Sequence, residues 1–289
     1  MKLIGVQCDV TLGQPAQNLA RMQDWLDQAA KKNADLVIFP ECAVTGYGYD
    51  SREQALEFAQ KLDGEASREM IAACQKHNMR CLYGFLENLD GKVFNSIALV
   101  GADGLIAIYR KIHLPFIGVD RYTDYGCEPL RVHEVGGVKI GLNICYDAAF
   151  PEVSRILALE GADLIALPTN WPPGAEIMSP TVIQTRALEN GVYYAAVNRV
   201  GLEAGCQFIG RSCIAAPNGK VLAMGSNDGE EMLEAEIDVE VARNKHTIRI
   251  PGISEIDRFA DRRPEFYEPL IAPHSRTTPR VLHHGSDSR

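Results

Sequence analysis

The sequence predicts a duplicated, layered α/β fold in which strands of two halves pack face to face with helices outside. Two stretches carry the duplication. Ala34-Asp35-Leu36-Val37-Ile38-Phe39-Pro40 and Ala162-Asp163-Leu164-Ile165-Ala166-Leu167-Pro168 each follow a helical pattern, enter a buried apolar run through Ala-Asp-Leu, and stop at proline. Downstream of each come a helix, a strand and further strands joined by hairpin signals. These are Asp90-Gly91 and Asp103-Gly104 in the first half, Asn218-Gly219 and Asp228-Gly229 in the second. A doubly wound nucleotide fold would not need these hairpins, and its glycine fingerprint is missing.

Taken in order, Leu3 to Cys8 reads as the first strand. Leu19, Met22, Leu26 and Ala29 recur at helical spacing between Asn18 and Lys32, and the basic pair Lys31-Lys32 suits a helix C-terminus. Asp35 to Glu41 is a buried strand whose last residue is a carboxylate. Gly46-Tyr47-Gly48-Tyr49 forms a loop and Ser67 to His77 a helix. From Arg80 the period becomes that of strands, giving an antiparallel meander through Tyr109-Arg110-Lys111, and Ile112 to Gly126 is an ordered loop. Val138 to Ile144 is a β-branched strand, and Phe150 to Glu160, closed by Gly161, a helix. The strand ending at Asn170, a helix from Pro180 to Asn190, a strand from Val192 to Asn198 and a meander from Phe208 to Asp238 complete the second half. Residues 1–270 form one domain. The tail, 271–289, has no period and is expected to be mobile or packed on a partner subunit.

The chain is 46% apolar and 23% charged, as in soluble globular proteins. A formal net charge of −9 without a basic cluster argues against nucleic acid as a partner. No run of about 18 apolar residues is present and the N-terminus lacks a signal peptide's apolar core, so a cytoplasmic protein without membrane insertion is expected. Eight cysteines without CxxC pairs read as reduced thiols. Neither HExxH, a paired-cysteine zinc pattern nor a glycine-rich phosphate loop occurs, so no metal or other cofactor is expected.

Three residues stand at or just beyond strand ends: Glu41, Lys111 and Cys145. Cys145 lies at a strand-to-helix junction, where Pro151 and Glu152 mark the helix start and its N–H groups are expected to lower the thiol pKa. The alternative is one more small buried hydrophobe. A thiolate hydrolase also needs a proton carrier and a cation or hydrogen-bond donor for the oxyanion, roles open to a glutamate and a lysine. Singly, Glu41 is equally a loop cap and Lys111 a solvated strand end.

Phe39-Pro40-Glu41, Tyr109-Arg110-Lys111-Ile112-His113-Leu114-Pro115 and Asn143-Ile144-Cys145-Tyr146-Asp147 resemble, in order and spacing, the motifs of the nitrilase superfamily of carbon–nitrogen hydrolases. The resemblance continues through Leu167-Pro168-Thr169-Asn170, Arg186-Ala187-Leu188-Glu189-Asn190 and Asp261-Arg262-Arg263-Pro264. It implies a four-layer αββα sandwich with internal pseudo-symmetry, and a homodimer or higher homo-oligomer. It assigns Glu41 as general base and acid, Lys111 as stabiliser of the intermediate, and Cys145 as nucleophile. The implied reaction is hydrolysis of a small amide through a thioester, with N-carbamoyl compounds and nitriles as the other substrate classes.

The sequence departs from the family where many members carry a second glutamate. Here Gly118-Val119-Asp120-Arg121-Tyr122 offers Asp120, which either takes that role or pairs with an arginine. Tyr146-Asp147 is closer to the amidase and carbamoylase branches than to true nitrilases. Tyr146, Asn170 and Trp171 are candidate substrate-binding residues, Trp171 being either a pocket wall or core. Arg199 is either a carboxylate binder or half of an ion pair. Two other readings are a Cys-His hydrolase using His113 and a catalytically silent binding protein.

Overall fold

In the computed structural model, which describes residues 1–284, the first half runs β1 (Lys2–Gln7), α1 (Pro15–Lys31), β2 (Leu36–Ile38), α2 (Arg52–Phe58), α3 (Glu65–His77), β3 (Arg80–Leu89), β4 (Lys92–Gly101) and β5 (Gly104–Arg110). The second runs β6 (Val132–Val135), β7 (Val138–Leu142), α4 (Pro151–Leu159), β8 (Leu164–Thr169), α5 (Thr181–Asn190) and β9 (Tyr193–Asn198). A short hairpin, β10 (Leu202–Glu203) and β11 (Cys206–Gln207), leads to β12 (Cys213–Ala215), β13 (Val221–Met224) and β14 (Glu231–Glu236). The chain then forms α6 (Val239–Arg243), the hairpin β15 (His246–Ile250) and β16 (Ser254–Asp257), and α7 (Pro279–His284).

The two six-stranded sheets have the orders β14-β1-β2-β3-β4-β5 and β6-β7-β8-β9-β12-β13. Each holds three parallel strands, an antiparallel neighbour on one side and an antiparallel pair on the other. The echoed aspartates explain part of this symmetry. Asp35 accepts from Lys2 N at 2.7 Å, and Asp163 from Lys139 N at 2.9 Å, so each carboxylate ties the start of the sheet's first parallel strand to the second. The sandwich with pseudo-symmetric halves is therefore as the sequence predicts.

Alternation along the strands sets the layers. Leu36 and Ile38 join the core between the sheets, while Val37 and Phe39 face α1 and α3 with Leu19, Met22, Leu26 and Met70. Burial of each such side chain is worth about 1.5–3 kcal/mol. Where β1 packs against β9 across the sandwich it has Gly5, where an added Cβ would lie 2.9 Å from Val197.

The expected meander from Phe208 to Asp238 is not a single sheet. Its last strand, β14, crosses to the other sheet and pairs antiparallel with β1. That pairing covers the edge of β1, whose backbone groups would otherwise be unpaired. Buried Gln7 secures the crossing by donating to Ser226 O and Gly229 O, both at 2.9 Å. Asp228-Gly229 is thus part of a crossover.

The tail carries α7, which lies on the chain's own loop after β5. Arg280 Nη1 donates to Thr123 O at 2.9 Å, and His283 stacks on Phe116 with ring centroids 4.5 Å apart. The end of the tail, 285–289, lies outside the described residues. Among the described residues, no helix is long and apolar enough to cross a membrane.

Candidate active site

Three strand ends converge. Beyond β2 the chain turns through Phe39-Pro40 to place Glu41, fully buried, against β3. Gly84 on β3 makes this possible, since an added Cβ would meet Cys42 N at 2.3 Å and Pro40 O at 2.6 Å. Lys111 directly follows β5, its N–H donating to Asn95 O at 2.9 Å. Cys145 opens a 3-10 turn, Cys145–Ala149, after β7, with a backbone φ of +43°. A side chain bearing Cβ adopts that conformation rarely.

The Lys111 ammonium lies between two carboxylates, 2.7 Å from Glu41 Oε1 and 2.5 Å from Asp120 Oδ2, with all three side chains buried. Asn95 Nδ2 donates to Glu41 Oε1 at 2.6 Å and to Asp120 Oδ1 at 2.9 Å. The Tyr47 hydroxyl donates to Asp120 Oδ2 at 2.9 Å. Glu203 in turn accepts from the Tyr47 and Gly48 N–H groups and fixes that loop. Among the described residues, Glu41 Oε2 and both side-chain amide atoms of Asn170 are buried without a protein partner.

Electrostatics follow from one cation among two carboxylates. Burial raises the Glu41 pKa, and although Lys111 opposes this, Asp120 adds to it. Burial works against the Lys111 charge, but Asp120 and Glu41 outweigh it and hold the lysine well above its ordinary pKa. Burial pushes the Cys145 thiol up to about 12, with Glu41 adding to the rise and Lys111, the Thr169 hydroxyl and the Asn170 N–H opposing it. This reverses the lowered thiol pKa expected from the helix junction. A 3-10 turn separates the sulfur from α4, which begins only at Pro151, and desolvation dominates.

The remaining candidates divide. Asp120 is at the lysine. Asn170 follows β8, and its N–H faces the sulfur. Trp171 is in the core cluster that includes Cys145, its N–H bonded to Asn198 Oδ1 at 2.8 Å. Tyr146 is 41% exposed and meets Phe150 edge-on at 5.1 Å. Arg199 is not available to a substrate carboxylate: fully buried, it pairs with Glu203 at 2.8 Å and Asp9 at 3.0 Å. His113 is held by Asp147 at 2.8 Å and stacked on Phe150 at 3.7 Å, away from the base's place beside Lys111.

Asn95 and Tyr47 were missed as site residues. A polar Asn95 within the apolar run Val93 to Val100 was the available signal for the first. For Tyr47 the only cue was its glycine-flanked loop.

Comparisons with known proteins bear on the family and the fold. A nitrilase of Pyrococcus abyssi is 38% identical over 268 residues, spanning 92% of this chain and 99% of that protein. An (R)-stereoselective amidase of a Pseudomonas species is 32% identical over 247 residues, spanning 82% and 86%. The crystal structure of a carbon–nitrogen hydrolase from Helicobacter pylori G27 superposes with a TM-score of 0.82 at 26% identity, covering 94% of this chain and 98% of that one. Residues 5–246 match the family described as carbon-nitrogen hydrolase, a span that takes in all three strand ends and the residues gathered there. The chain is a member of the carbon–nitrogen hydrolase family within the nitrilase superfamily.

Proposed function

We propose that the protein is an amidase that hydrolyses small linear amides through a thioester on Cys145. The observation that carries this reading is the buried Glu41–Lys111–Asp120 cluster next to the buried Cys145 thiol, on which Glu41 and Lys111 act electrostatically. Glu41, its pKa raised by burial, takes the thiol proton as sulfur attacks the amide carbonyl. The developing oxyanion is met by the Lys111 ammonium, which the carboxylates keep protonated. Protonated Glu41 then passes its proton to the leaving nitrogen, the C–N bond breaks, and ammonia or an amine departs. Water deprotonated by Glu41 attacks the thioester carbonyl, the C–S bond breaks, the carboxylic acid departs, and the proton held by Glu41 returns to the sulfur. Asp120, in this reading, fills the second acid's place by holding Lys111 and Tyr47.

The unpartnered amide of Asn170 and the Thr169 hydroxyl supply buried polar groups for the substrate. Tyr146 forms part of the rim and Trp171 a wall behind the sulfur. The same reading takes the enzyme as cytoplasmic, with its eight cysteines free, and as a homodimer or larger assembly that covers exposed Ile248, Ile250, Ile253, Phe266 and Ile271. Ammonia release should be measured over a panel of small amides, N-carbamoyl compounds and nitriles. Turnover of amides supports the proposal, turnover of only ureido compounds or nitriles would reassign the substrate, and silence across the panel with Cys145 reduced would favour a binding protein.

A further inference from the structure

The amidase reading leaves one fully buried charge at the site unused. Asp147 has no solvent exposure and accepts four hydrogen bonds from three separate parts of the chain. Its Oδ2 takes the Tyr109 hydroxyl at 2.8 Å and the Ile144 N–H at 3.0 Å. Its Oδ1 takes the His113 N–H at 3.1 Å and His113 Nδ1 at 2.8 Å. Tyr109 and His113 stand two residues before and two after Lys111, and Ile144 immediately precedes Cys145. A single carboxylate therefore ties the Tyr109 side chain before the lysine and the His113 backbone and ring after it to the backbone that precedes the thiol.

Two further features show that this linkage is built. The Cys145 φ of +43° has to be imposed by its surroundings, and the Ile144 N–H bonded to Asp147 anchors the residue just before it. The His113 ring is fixed from a second direction by stacking on Phe150 at 3.7 Å with planes 10° apart. Burial and the Asp147 charge hold the Tyr109 phenol well above its usual pKa, so it remains a donor.

We propose that Asp147 is a positioning residue for catalysis, which sets the Lys111 ammonium and the Cys145 sulfur at the separation the reaction requires. It touches neither the substrate nor the sulfur. It acts through Tyr109 and His113 on one side and Ile144 on the other. The proposal rests on Cys145 and Lys111 having the roles given above.

The test compares Asp147→Asn, Tyr109→Phe and His113→Ala with the parent enzyme. Each is measured for kcat, KM, melting temperature, and alkylation of Cys145 by iodoacetamide, which needs no bound substrate. Asp147→Asn puts a donor where two donors already point, and kcat is expected to fall about 10–100-fold per folded enzyme with KM within threefold. Tyr109→Phe removes one bond at the lysine side and should lower kcat several-fold while leaving alkylation near the parent rate. Asp147→Asn should change both, and Asp147→Glu should recover part of the loss.

Parent-like kcat in Asp147→Asn and Tyr109→Phe would overturn the proposal, as would losses that only follow the folded fraction. If Asp147→Asn does not fold, Tyr109→Phe and His113→Ala decide the matter by the same criteria. A Cys145→Ala or Lys111→Ala enzyme with parent activity would instead overturn the underlying amidase mechanism, which separates the two failures.

Discussion

Lys111 has two buried carboxylates to neutralise, an arrangement that is structural and, in the proposed mechanism, also catalytic. Lys111→Ala leaves Glu41 and Asp120 unpaired, so a stability loss of about 3–5 kcal/mol is expected by chemical denaturation. Glu41→Gln keeps the shape and should be better tolerated. Both should lower kcat, by about 10²–10³-fold for the oxyanion partner and at least comparably for the proton carrier. The double variant should be no slower than the worse single one by more than a small factor, and a full product of losses would contradict a single catalytic unit. The signs of the pKa shifts give a second expectation. Glu41 must be ionised to accept a proton and its pKa is raised, so kcat/KM should fall towards acid with a midpoint above the ordinary 4.5. That midpoint belongs to the coupled cluster. Removing one of the charges that raise the Lys111 pKa lowers it, so Asp120→Asn should bring activity loss on the alkaline side to lower pH. A pH–rate profile of parent and variant measures both limbs.

At the scale of elements, the site depends on how closely strands approach. Gly84 lets β3 pass against the turn that carries Glu41, and the neighbours an alanine would strike are backbone atoms. Gly84→Ala should therefore displace Glu41 and lower kcat beyond any loss of folded protein, which activity per active cysteine would reveal. The residues at strand ends were legible in the sequence because period and proline stops mark where strands finish. Glu41, Lys111 and Cys145 are such residues. Their partner Asn95 was not, because it meets Glu41 and Lys111 through non-local pairing that no local pattern encodes. The crossing of β14 was hidden for a related reason: a turn signal at Asp228-Gly229 says where the chain reverses, and the open edge of β1 decides which sheet receives it. The thiol pKa was misread because the junction was visible in the sequence and the extent of burial was not.

The whole molecule brings Glu41 and Lys111 from one sheet to Cys145 from the other, so the site exists only when the sandwich closes. Gly5 on β1 faces Val197 on β9 across the two sheets. Gly5→Val should force β1 from Val197, cost about 1–3 kcal/mol, and lower the melting temperature. The internal echo of Ala-Asp-Leu announced the paired halves, and the packing of α7 on the loop that bears Asp120 required the folded chain to be seen. The central claim is that these converging groups perform amide hydrolysis through a covalent bond to one sulfur. Its most direct test is intact-mass analysis of enzyme quenched during turnover of an amide, with peptide mapping of the adduct. The account predicts an acyl group on Cys145, formed with release of ammonia or amine and absent from Cys145→Ala. An adduct confined to another cysteine, or turnover that persists in Cys145→Ala, would contradict it.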